Sequence, residues 1–302
     1  MTLAQLRYFL AIVRAGSMSA AAELVHVAQP ALSQQIRQLE GELGQALFRR
    51  HARGIRLTDA GLRFQERAFG ILRQVDALRD EFISTRAEPV GQVTLGMATA
   101  VNTAFLLPIC LAVRQRHPGI TLRLVESMSG FLMEWAEQGR VDLALAYEAA
   151  SAPGLDAQRL GRESLFLIAA PDWRAPVKRR LGLADLAQIP MVLPGFPHSL
   201  RILLDRSFAQ RGLRLNVTAE VDSTLGMKQL VAAGVGCSIL SRHSVAEEVG
   251  RGELTALPIA RPGVSRSIDL LTGVQRRSDP AVQAVRAVVE EVVRAGLAPQ
   301  EG

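Results

Sequence analysis

The sequence predicts a multidomain fold in three parts: an all-α winged helix-turn-helix module, a long linker helix, and an α/β body of two lobes. A helix with one apolar and one polar face is predicted over 29–43, and an apolar repeat of the coiled-coil type follows within 59–88. From about residue 90, strand-like and helix-like runs alternate, as they do in α/β layers. We therefore expect domains over 1–58, 59–88 and 89–302.

The helix predicted over 29–43 has a polar face suited to reading base edges. Its apolar residues fall at spacings of 4, 3 and 4 and share one face; they are Leu32, Ile36, Leu39 and Leu43. Roughly opposite them lie Pro30, which suits a first helical turn, and Gln34, Arg37 and Gln38. Gln can pair with adenine, Arg with guanine, and Ser with a base edge or a phosphate. Taken alone, this helix is equally consistent with an ordinary Gln-rich surface.

Two shorter helices are predicted before it. The buried stripe of the first is expected to consist of Leu3, Leu6, Leu10 and Val13. Gly16 should end that helix, and Ser17 should cap a second one over 18–25, whose small alanines allow another helix to cross closely. A short turn over 26–28 then leads into the 29–43 helix. This arrangement predicts a helix-turn-helix.

A basic β-hairpin is predicted over 47–58, with Gly54 in an alternating run. Arg49, Arg50 and Arg53 would lie beside a DNA backbone or in a minor groove. A basic turn by itself is more typical of a solvated loop, but its place directly after a helix-turn-helix favours DNA contact. Residues 1–58 carry seven arginines and three glutamates, which also favours a polyanionic partner.

These residues together resemble the LysR-type transcriptional regulators. The resemblance is carried by AAAEL (20–24), AQPALSQQI (28–36), LE (39–40), LG (43–44), LFRR (47–50) and LTDAG (57–61). Within the family, HVAQPALSQQ (26–35) and LEGEL (39–43) look nearest to the nitrogen-assimilation-control branch. Ala28 stands where many members have a capping hydroxyl residue, which implies a helix cap weaker by about 1 kcal/mol. The candidate DNA-binding residues are Gln29, Pro30, Ser33, Gln34, Arg37, Arg49, Arg50 and Arg53.

The linker is predicted as a helix that Thr58 caps and that runs to about residue 85. Its apolar residues recur at spacings of 4 and 3, which indicates a coiled-coil seam; they are Phe64, Ala68, Ile71, Val75, Leu78 and Phe82. The alternative is a helix packed on its own domain. The family resemblance implies dimerisation through this helix and assembly as a homodimer or homotetramer. Residues 88–91 should form a hinge.

The body is predicted as α/β layers with a mainly parallel sheet, one lobe being split around the other. We expect lobe I over 89–162 and 268–302, and lobe II over 163–267. Predicted strands cover 92–97, 120–126, 141–146, 165–170, 191–193, 217–221, 237–240 and 268–272. Predicted helices cover 105–116, 132–138, 200–210, 227–233 and 280–295. This is the layout of a type II periplasmic-binding-protein fold, and the family resemblance implies the same.

Ligands of such folds bind beyond the carboxyl ends of the strands, where helix N-termini point inward. That rule selects 99–102, 127–130, Tyr147, 194–201 and 223–224. The candidate effector-binding residues are Thr99, Val101, Asn102, Ser127, Ser129, Tyr147, Pro194, Phe196, His198 and Arg201. Hydroxyls and backbone N–H groups there suit a small anion, which Arg201 could clamp. Any one of these residues, taken alone, is more typical of a helix cap or a loop contact. The family resemblance matches Thr99 and Ser129 best to effector-binding positions.

Other classes of function fit the sequence less well. The five histidines lack metal-ligand spacing, and Cys110 and Cys237 are expected to be buried and unpaired, so we expect no metal and no cofactor. His198 near Arg201 is the one catalytic-looking pair, and a pocket wall explains it equally well, so we do not expect an enzyme. The N-terminus does not resemble a secretory signal and no run of about 18 apolar residues occurs, so we expect a cytoplasmic protein without membrane contact.

We therefore expect a sequence-specific transcriptional regulator that binds double-stranded promoter DNA and senses a small, anionic metabolite in its C-terminal cleft. RNA polymerase is a further candidate partner. The alternatives are a solute-binding protein with the same two lobes and no regulatory role, and a regulator that acts without an effector.

Overall fold

A computed structural model describes residues 1–51, 54–83, 88–149, 155–173, 181–273 and 276–297. The side chains at 50, 51, 54, 73, 76, 77 and 79–83 lie outside this description. The chain divides into two compact units, one formed by residues 1–87 and the other by most of the residues from 88 onward. The domain and lobe boundaries drawn from the sequence stay a prediction.

Short helices and a hairpin open the N-terminal unit. In chain order they are α1 (Leu3–Ala15), α2 (Met18–Leu24), α3 (Gln29–Leu43), β1 (Phe48–His51), β2 (Gly54–Leu57) and α4 (Asp59–Ile83). The α3 bounds and the antiparallel β1–β2 hairpin are as predicted. Ser17 caps α2 by accepting a hydrogen bond from the backbone N–H of Ala20, whereas Ala28 gives α3 no side-chain cap.

The buried face of α1 differs from the predicted stripe. Leu6 is buried, but Leu3 is 39% exposed and Leu10 and Val13 are half-buried. Phe9 takes the central place instead, with its ring 5.0 Å from that of Phe48 and 4.9 Å from that of Phe64. The buried face differs because α1 packs against α2, α3 and α4 at once. Leu43 is likewise exposed, since Gly44 ends α3 directly after it.

The first turns of α4 pack on their own unit, whereas two of the described side chains further along the helix are exposed. Ala68 is buried in the core of the N-terminal unit, and Phe64 packs against that core. Further along the predicted seam, Ile71 is 37% and Leu78 is 55% exposed. The Phe82 side chain lies outside the described residues. Packing of the helix on its own domain therefore holds for the first turns of α4, and the coiled-coil seam stays a prediction.

The second unit contains the α/β elements. It begins with β3 (Gly91–Met97), α5 (Thr99–Arg116), β4 (Ile120–Glu126), α6 (Ser129–Glu137) and β5 (Leu143–Tyr147). It continues with β6 (Asp156–Ala169), α7 (Leu183–Leu186), β7 (Met191–Leu193), α8 (Ser199–Ala209), β8 (Val217–Glu220), α9 (Thr224–Ala232) and β9 (Ser238–Ser241). It ends with a 3₁₀ turn (His243–Val245), α10 (Ala246–Gly250), β10 (Thr255–Pro258), β11 (Ser265–Thr272) and α11 (Pro280–Leu297). The sequence did not predict α7, the 3₁₀ turn, α10 or β10.

The large sheet is mixed, so the predicted mainly parallel sheet was wrong. Its strand order is β10-β6-β11-β5-β3-β4, with β9 also paired to β6. β3 is parallel to β4 and β5, but β6 and β11 are antiparallel to each other and β11 is antiparallel to β5. The physical reason is the double crossing: the chain leaves the first lobe along β6 and returns along β11, so these strands must run in opposite directions. A small parallel pair, β7–β8, lies in the other lobe.

Two separate hydrophobic cores support the two lobes. One contains β3, β5, α5 and α11, with Leu95, Ile109 and Val289 fully buried. The other contains β7, β9, α8 and α9, with Phe208 and Ile239 at its centre. Within the described ranges, no helix is both long and apolar enough to cross a membrane. In the same ranges, no cluster of His, Cys, Asp or Glu could hold a metal ion.

Candidate functional site

The outer face of α3 presents most of the predicted base-reading side chains. Gln29, Pro30, Gln34 and Arg37 are exposed, and Ser33 is half-buried. The Gln29 side-chain amide donates to Ser33 Oγ at 3.4 Å, one turn further on. Because Leu32, Ile36 and Leu39 are buried on the opposite face, α3 is fixed with its polar face outward.

The β1–β2 hairpin, called the wing below, adds exposed cationic side chains to the same unit. Arg49 is exposed on β1 and lies directly opposite Arg56 on β2, so both side chains project from the same face of the hairpin. Arg50 belongs to β1, but its side chain lies outside the description, and Arg53 lies outside the described residues. Arg56 is one of the seven arginines of residues 1–58, but it was not among the predicted DNA contacts.

A cleft in the second unit gathers residues that are far apart in the sequence. It takes in about 400 Å³, including its open mouth. Its walls are formed by Ala98, Thr99, Ala100, Ser127, Met128, Ser129, Tyr147, His198, Ser199, Leu200, Thr224, Met227, Leu240 and Arg266. Of the predicted effector-binding residues, it brings together Thr99, Ser127, Ser129, Tyr147 and His198.

The N-termini of α5, α6, α8 and α9 meet at this cleft. Their first residues, Thr99, Ser129, Ser199 and Thr224, all line it. Each helix follows a strand, so the carboxyl ends of β3, β4, β7 and β8 point toward the same space. The sequence placed the starts of α5, α6 and α9 three to six residues too late. In α5 the missed first turn contains Val101, which continues the buried series Phe105, Ile109 and Val113 at four-residue spacing.

Hydrogen bonds to the backbone orient two of the cleft residues. Ser129 Oγ accepts from the backbone N–H of Tyr147 at 3.1 Å, which leaves the hydroxyl proton of Ser129 free to donate. His198 Nδ1 accepts from the backbone N–H of Leu200 at 3.1 Å, so the neutral ring carries its proton on Nε2. Burial and the charge of Arg266 lower the pKa of His198, and both favour this neutral form.

A buried cation in the cleft wall was not predicted. Arg266 is 3% exposed, and its guanidinium lies 3.5 Å from the centre of the Tyr147 ring. Arg266 Nη2 lies 2.7 Å from Glu163 Oε1. Burial raises the pKa of Tyr147, so its hydroxyl stays protonated. The sequence signal that could have found Arg266 is a lone arginine at the start of the apolar run of β11.

The other predicted effector-binding residues lie outside the cleft wall. Val101 is buried in the lobe core, and the Asn102 amide donates to Glu126 Oε2 at 2.6 Å. Arg201 donates to Asp205 at 2.8 Å, to Glu220 at 2.6 Å and to the Pro194 carbonyl at 3.2 Å. Phe196 is 65% exposed beside the Arg201 guanidinium. Arg201 therefore already has two acidic partners.

Both regions match family models. Residues 3–62 match the bacterial regulatory helix-turn-helix proteins of the lysR family, and residues 86–294 match the LysR substrate binding domain. The chain belongs to the LysR family of transcriptional regulators. The family resemblance carried by residues 20–61 is thereby confirmed.

Relatives of this LysR-type regulator share nearly its whole length. It is 32% identical to the nitrogen assimilation regulatory protein nac of Escherichia coli (strain K12), over 97% of this chain and 95% of that one. It is 30% identical to a RuBisCO operon transcriptional regulator of Allochromatium vinosum, over 95% of each chain. The similarity to nac agrees with the predicted nitrogen-assimilation-control branch.

Solved structures share the fold. A full-length OxyR variant from Pseudomonas aeruginosa matches with a TM-score of 0.74 at 21% identity, covering 97% of this chain and 98% of that one. CbnR in complex with its target DNA matches with a TM-score of 0.73 at 24% identity, covering 97% and 100%. The predicted fold class is therefore confirmed.

As a LysR-type regulator, the chain is a DNA-binding transcriptional regulator with an effector-sensing C-terminal domain, so the predicted function is confirmed. The alternative of a solute-binding protein without a regulatory role is not supported, since the helix-turn-helix match covers residues 3–62.

Proposed function

We propose that this regulator reads operator DNA through α3 and the wing, and that a small anionic metabolite in the cleft changes how the protein holds that DNA. The observation that carries the ligand proposal is the convergence of the N-termini of α5, α6, α8 and α9 on one cleft. Each helix N-terminus contributes roughly half a positive charge and unpaired backbone N–H groups. Together they favour an anion over a neutral or cationic ligand.

The polar groups of the cleft are hydrogen-bond donors. The Ser129 hydroxyl and the His198 Nε2–H are available after their bonds to the backbone, and Arg266 adds a full positive charge. Apolar walls are supplied by Met128, Met227 and Leu240. The cleft is small, since even with its open mouth it takes in only about 400 Å³, so the ligand must be small. We propose that the contacts are Thr99, Ser127, Ser129, Tyr147, His198, Ser199, Thr224 and Arg266.

For DNA, we propose contacts from Gln29, Pro30, Ser33, Gln34, Arg37, Arg49, Arg50 and Arg53. Assembly as a homodimer or homotetramer would present two α3 helices to half-sites about one helical turn apart. The exposure of Ile71 and Leu78 on α4 supports a second copy along that helix. CbnR, which shares the fold, is known in a complex with its target DNA.

Two further proposals concern the cellular compartment of the protein and whether it catalyses a reaction. We propose that the protein works in the cytoplasm, where promoter DNA and RNA polymerase are present, and that it is not an enzyme. The named relatives are transcriptional regulators, which supports this proposal. Turnover of a bound ligand by the purified protein would contradict it.

Genome-wide mapping of the bound DNA is the first experiment, because it supplies the operator and names the pathway whose metabolites are effector candidates. On that operator, Gln34→Ala and Arg37→Ala should each weaken specific binding by about 10- to 100-fold and weaken binding to random DNA much less. Arg114→Ala, an exposed arginine at the end of α5, is the matched control and should leave both unchanged. Equal losses on operator and random DNA would count against base reading by α3.

A further inference from the structure

Glu163 and Arg266 join the two strands that cross between the lobes. They are directly opposite each other in the β6–β11 register. Both are buried, with side chains 5% and 3% exposed, and Arg266 Nε and Nη2 each lie 2.7 Å from Glu163 Oε1. A buried ion pair at this place contributes little net stability, because desolvation offsets most of its attraction. Its position on the two crossing strands, beside the cleft, suits it to a role in ligand binding.

Arg266 contacts Tyr147 and Glu163, and it also lines the cleft. The Tyr147 ring covers the face of its guanidinium at 3.5 Å, and Glu163 pairs with the guanidinium edge. The guanidinium is thereby held in one orientation. Glu163 accepts from Nε and from one N–H of Nη2, and no partner for Nη1 is seen among the residues that the structure describes. Since Arg266 lines the cleft, the remaining N–H groups of its guanidinium are the donors that a ligand can use.

The rest of the cleft wall defines the chemistry of that ligand. None of the described lining residues is acidic, and the nearest carboxylates are Glu163, which is paired with Arg266, and Asp222, which acts on His198. The neutral His198 offers its Nε2–H, and His198 and Arg266 both line the cleft. Met128, Leu200, Met227 and Leu240 leave space for an apolar body.

We propose that Arg266 reads the negative charge of the effector, which is a small organic acid with an anionic head and an apolar body. This inference rests on the proposed anion-binding cleft and assigns its selectivity to one residue. When the oxyanion binds Arg266, it shares the guanidinium with Glu163. The cross-strand pair then weakens, and the relative positions of β6 and β11 respond to the charge of the ligand.

The test uses the full-length protein and matched acid and amide probes: butyrate with butyramide, phenylacetate with phenylacetamide, and succinate with succinamide. Thermal unfolding at millimolar probe concentrations should show stabilisation by at least one acid and none by its amide. Arg266→Gln should weaken binding of that acid by about 10- to 100-fold. Arg162→Gln is the matched control, since Arg162 is the neighbour of Glu163 on β6, is exposed and bonds to Ser265.

Glu163→Gln separates a ligand role from a merely structural one. Removing the competing carboxylate should lower the stability of the free protein but tighten acid binding, by about threefold or more. A structural pair alone would weaken binding in both variants. If Arg266→Gln does not fold, the sign of the Glu163→Gln effect decides.

Undiminished acid binding by Arg266→Gln, weaker binding by Glu163→Gln, or equal stabilisation by acid and amide would each overturn the role of Arg266. Failure of all three acids to stabilise the wild-type protein would overturn the organic-acid class. Reading of operator DNA by α3 is measured independently, so its failure would be seen in the Gln34 and Arg37 variants instead.

Discussion

The Glu40 carboxylate on α3 accepts a hydrogen bond from the backbone N–H of Leu47 at 2.7 Å. The same oxygen accepts from the N–H of Phe48, the first residue of β1, at 3.2 Å. On the other side of this segment, Thr58 Oγ1 donates to the Ala46 carbonyl and the Thr58 N–H donates to the Leu47 carbonyl. The base of the wing is therefore tied to both α3 and the start of α4.

Glu40→Ala should loosen the wing relative to α3. We expect a loss of about 1.5–3 kcal/mol in unfolding free energy, as for hydrogen bonds to a charged group. The salt dependence of DNA binding should also become shallower, because fewer phosphates are contacted at once. Denaturant unfolding and operator titrations over a range of salt would measure both. Glu40→Gln keeps an acceptor oxygen and should restore most of each effect; if it behaves like Glu40→Ala, the hydrogen bonds are not the cause.

Two glycines of the N-terminal unit should respond in opposite ways to alanine. A Cβ on Gly61 would lie 2.1 Å from the Leu47 carbonyl oxygen, whereas a Cβ on Gly41 would meet nothing within 4 Å. Gly61→Ala should cost more than about 2 kcal/mol, since backbone must move. Gly41→Ala in the exposed last turn of α3 should stabilise by about 0.5–1 kcal/mol. Chemical denaturation of both variants checks this; a tolerated Gly61→Ala would mean that α4 does not approach Leu47 so closely.

The parts of the fold that the sequence predicted are those set by local patterns. The α3 bounds follow from its apolar spacing together with Pro30 near the start and Gly44 at the end, and the Ser17 cap follows from residue type. The mixed sheet could not be read in this way. The direction of β6 and β11 is decided by the double crossing between lobes, which no local period encodes.

The cleft residues also divide into those that a local pattern predicts and those that depend on contacts distant in sequence. Thr99, Ser129 and His198 were predicted because each follows a strand and begins or caps a helix, and that rule is local. Arg266 was missed because its partner Glu163 is 103 positions away and meets it only through strand pairing. Arg201 had the right chemistry for an anion clamp, but Asp205 and Glu220 already pair with it.

Neither cysteine should react readily in the folded protein. Burial raises the pKa of Cys237 to about 11 and also raises that of Cys110. At neutral pH the thiolate fraction of Cys237 should be about 100-fold below that of an ordinary thiol. Reaction with Ellman's reagent should be slow in the native protein and fast for both thiols after denaturation. Rapid modification of the native protein would show that one thiol is accessible and activated.

His198 should make the protein less stable in mild acid. Its folded-state pKa lies below the ordinary value of 6.5, so the unfolded chain takes up a proton at a higher pH than the folded one. Stability is therefore fully present above about pH 6.5 and is lost as the pH falls below it. His198→Asn keeps a cap acceptor for the Leu200 N–H but does not titrate, so its unfolding free energy should fall less between pH 7.5 and 5.5. An unchanged pH profile would mean that His198 titrates alike in both states.

The central claim is that an anion in the cleft changes the DNA complex. The most direct measurement is a DNase I footprint, with DNA bend angle, on an operator recovered by genome-wide mapping, with and without a saturating concentration of the acid that best stabilises the protein. The account predicts a shift in footprint boundaries and bend in the wild-type protein, and none in Arg266→Gln. An identical footprint and bend with and without the acid would contradict it, and would leave a regulator that acts without an effector.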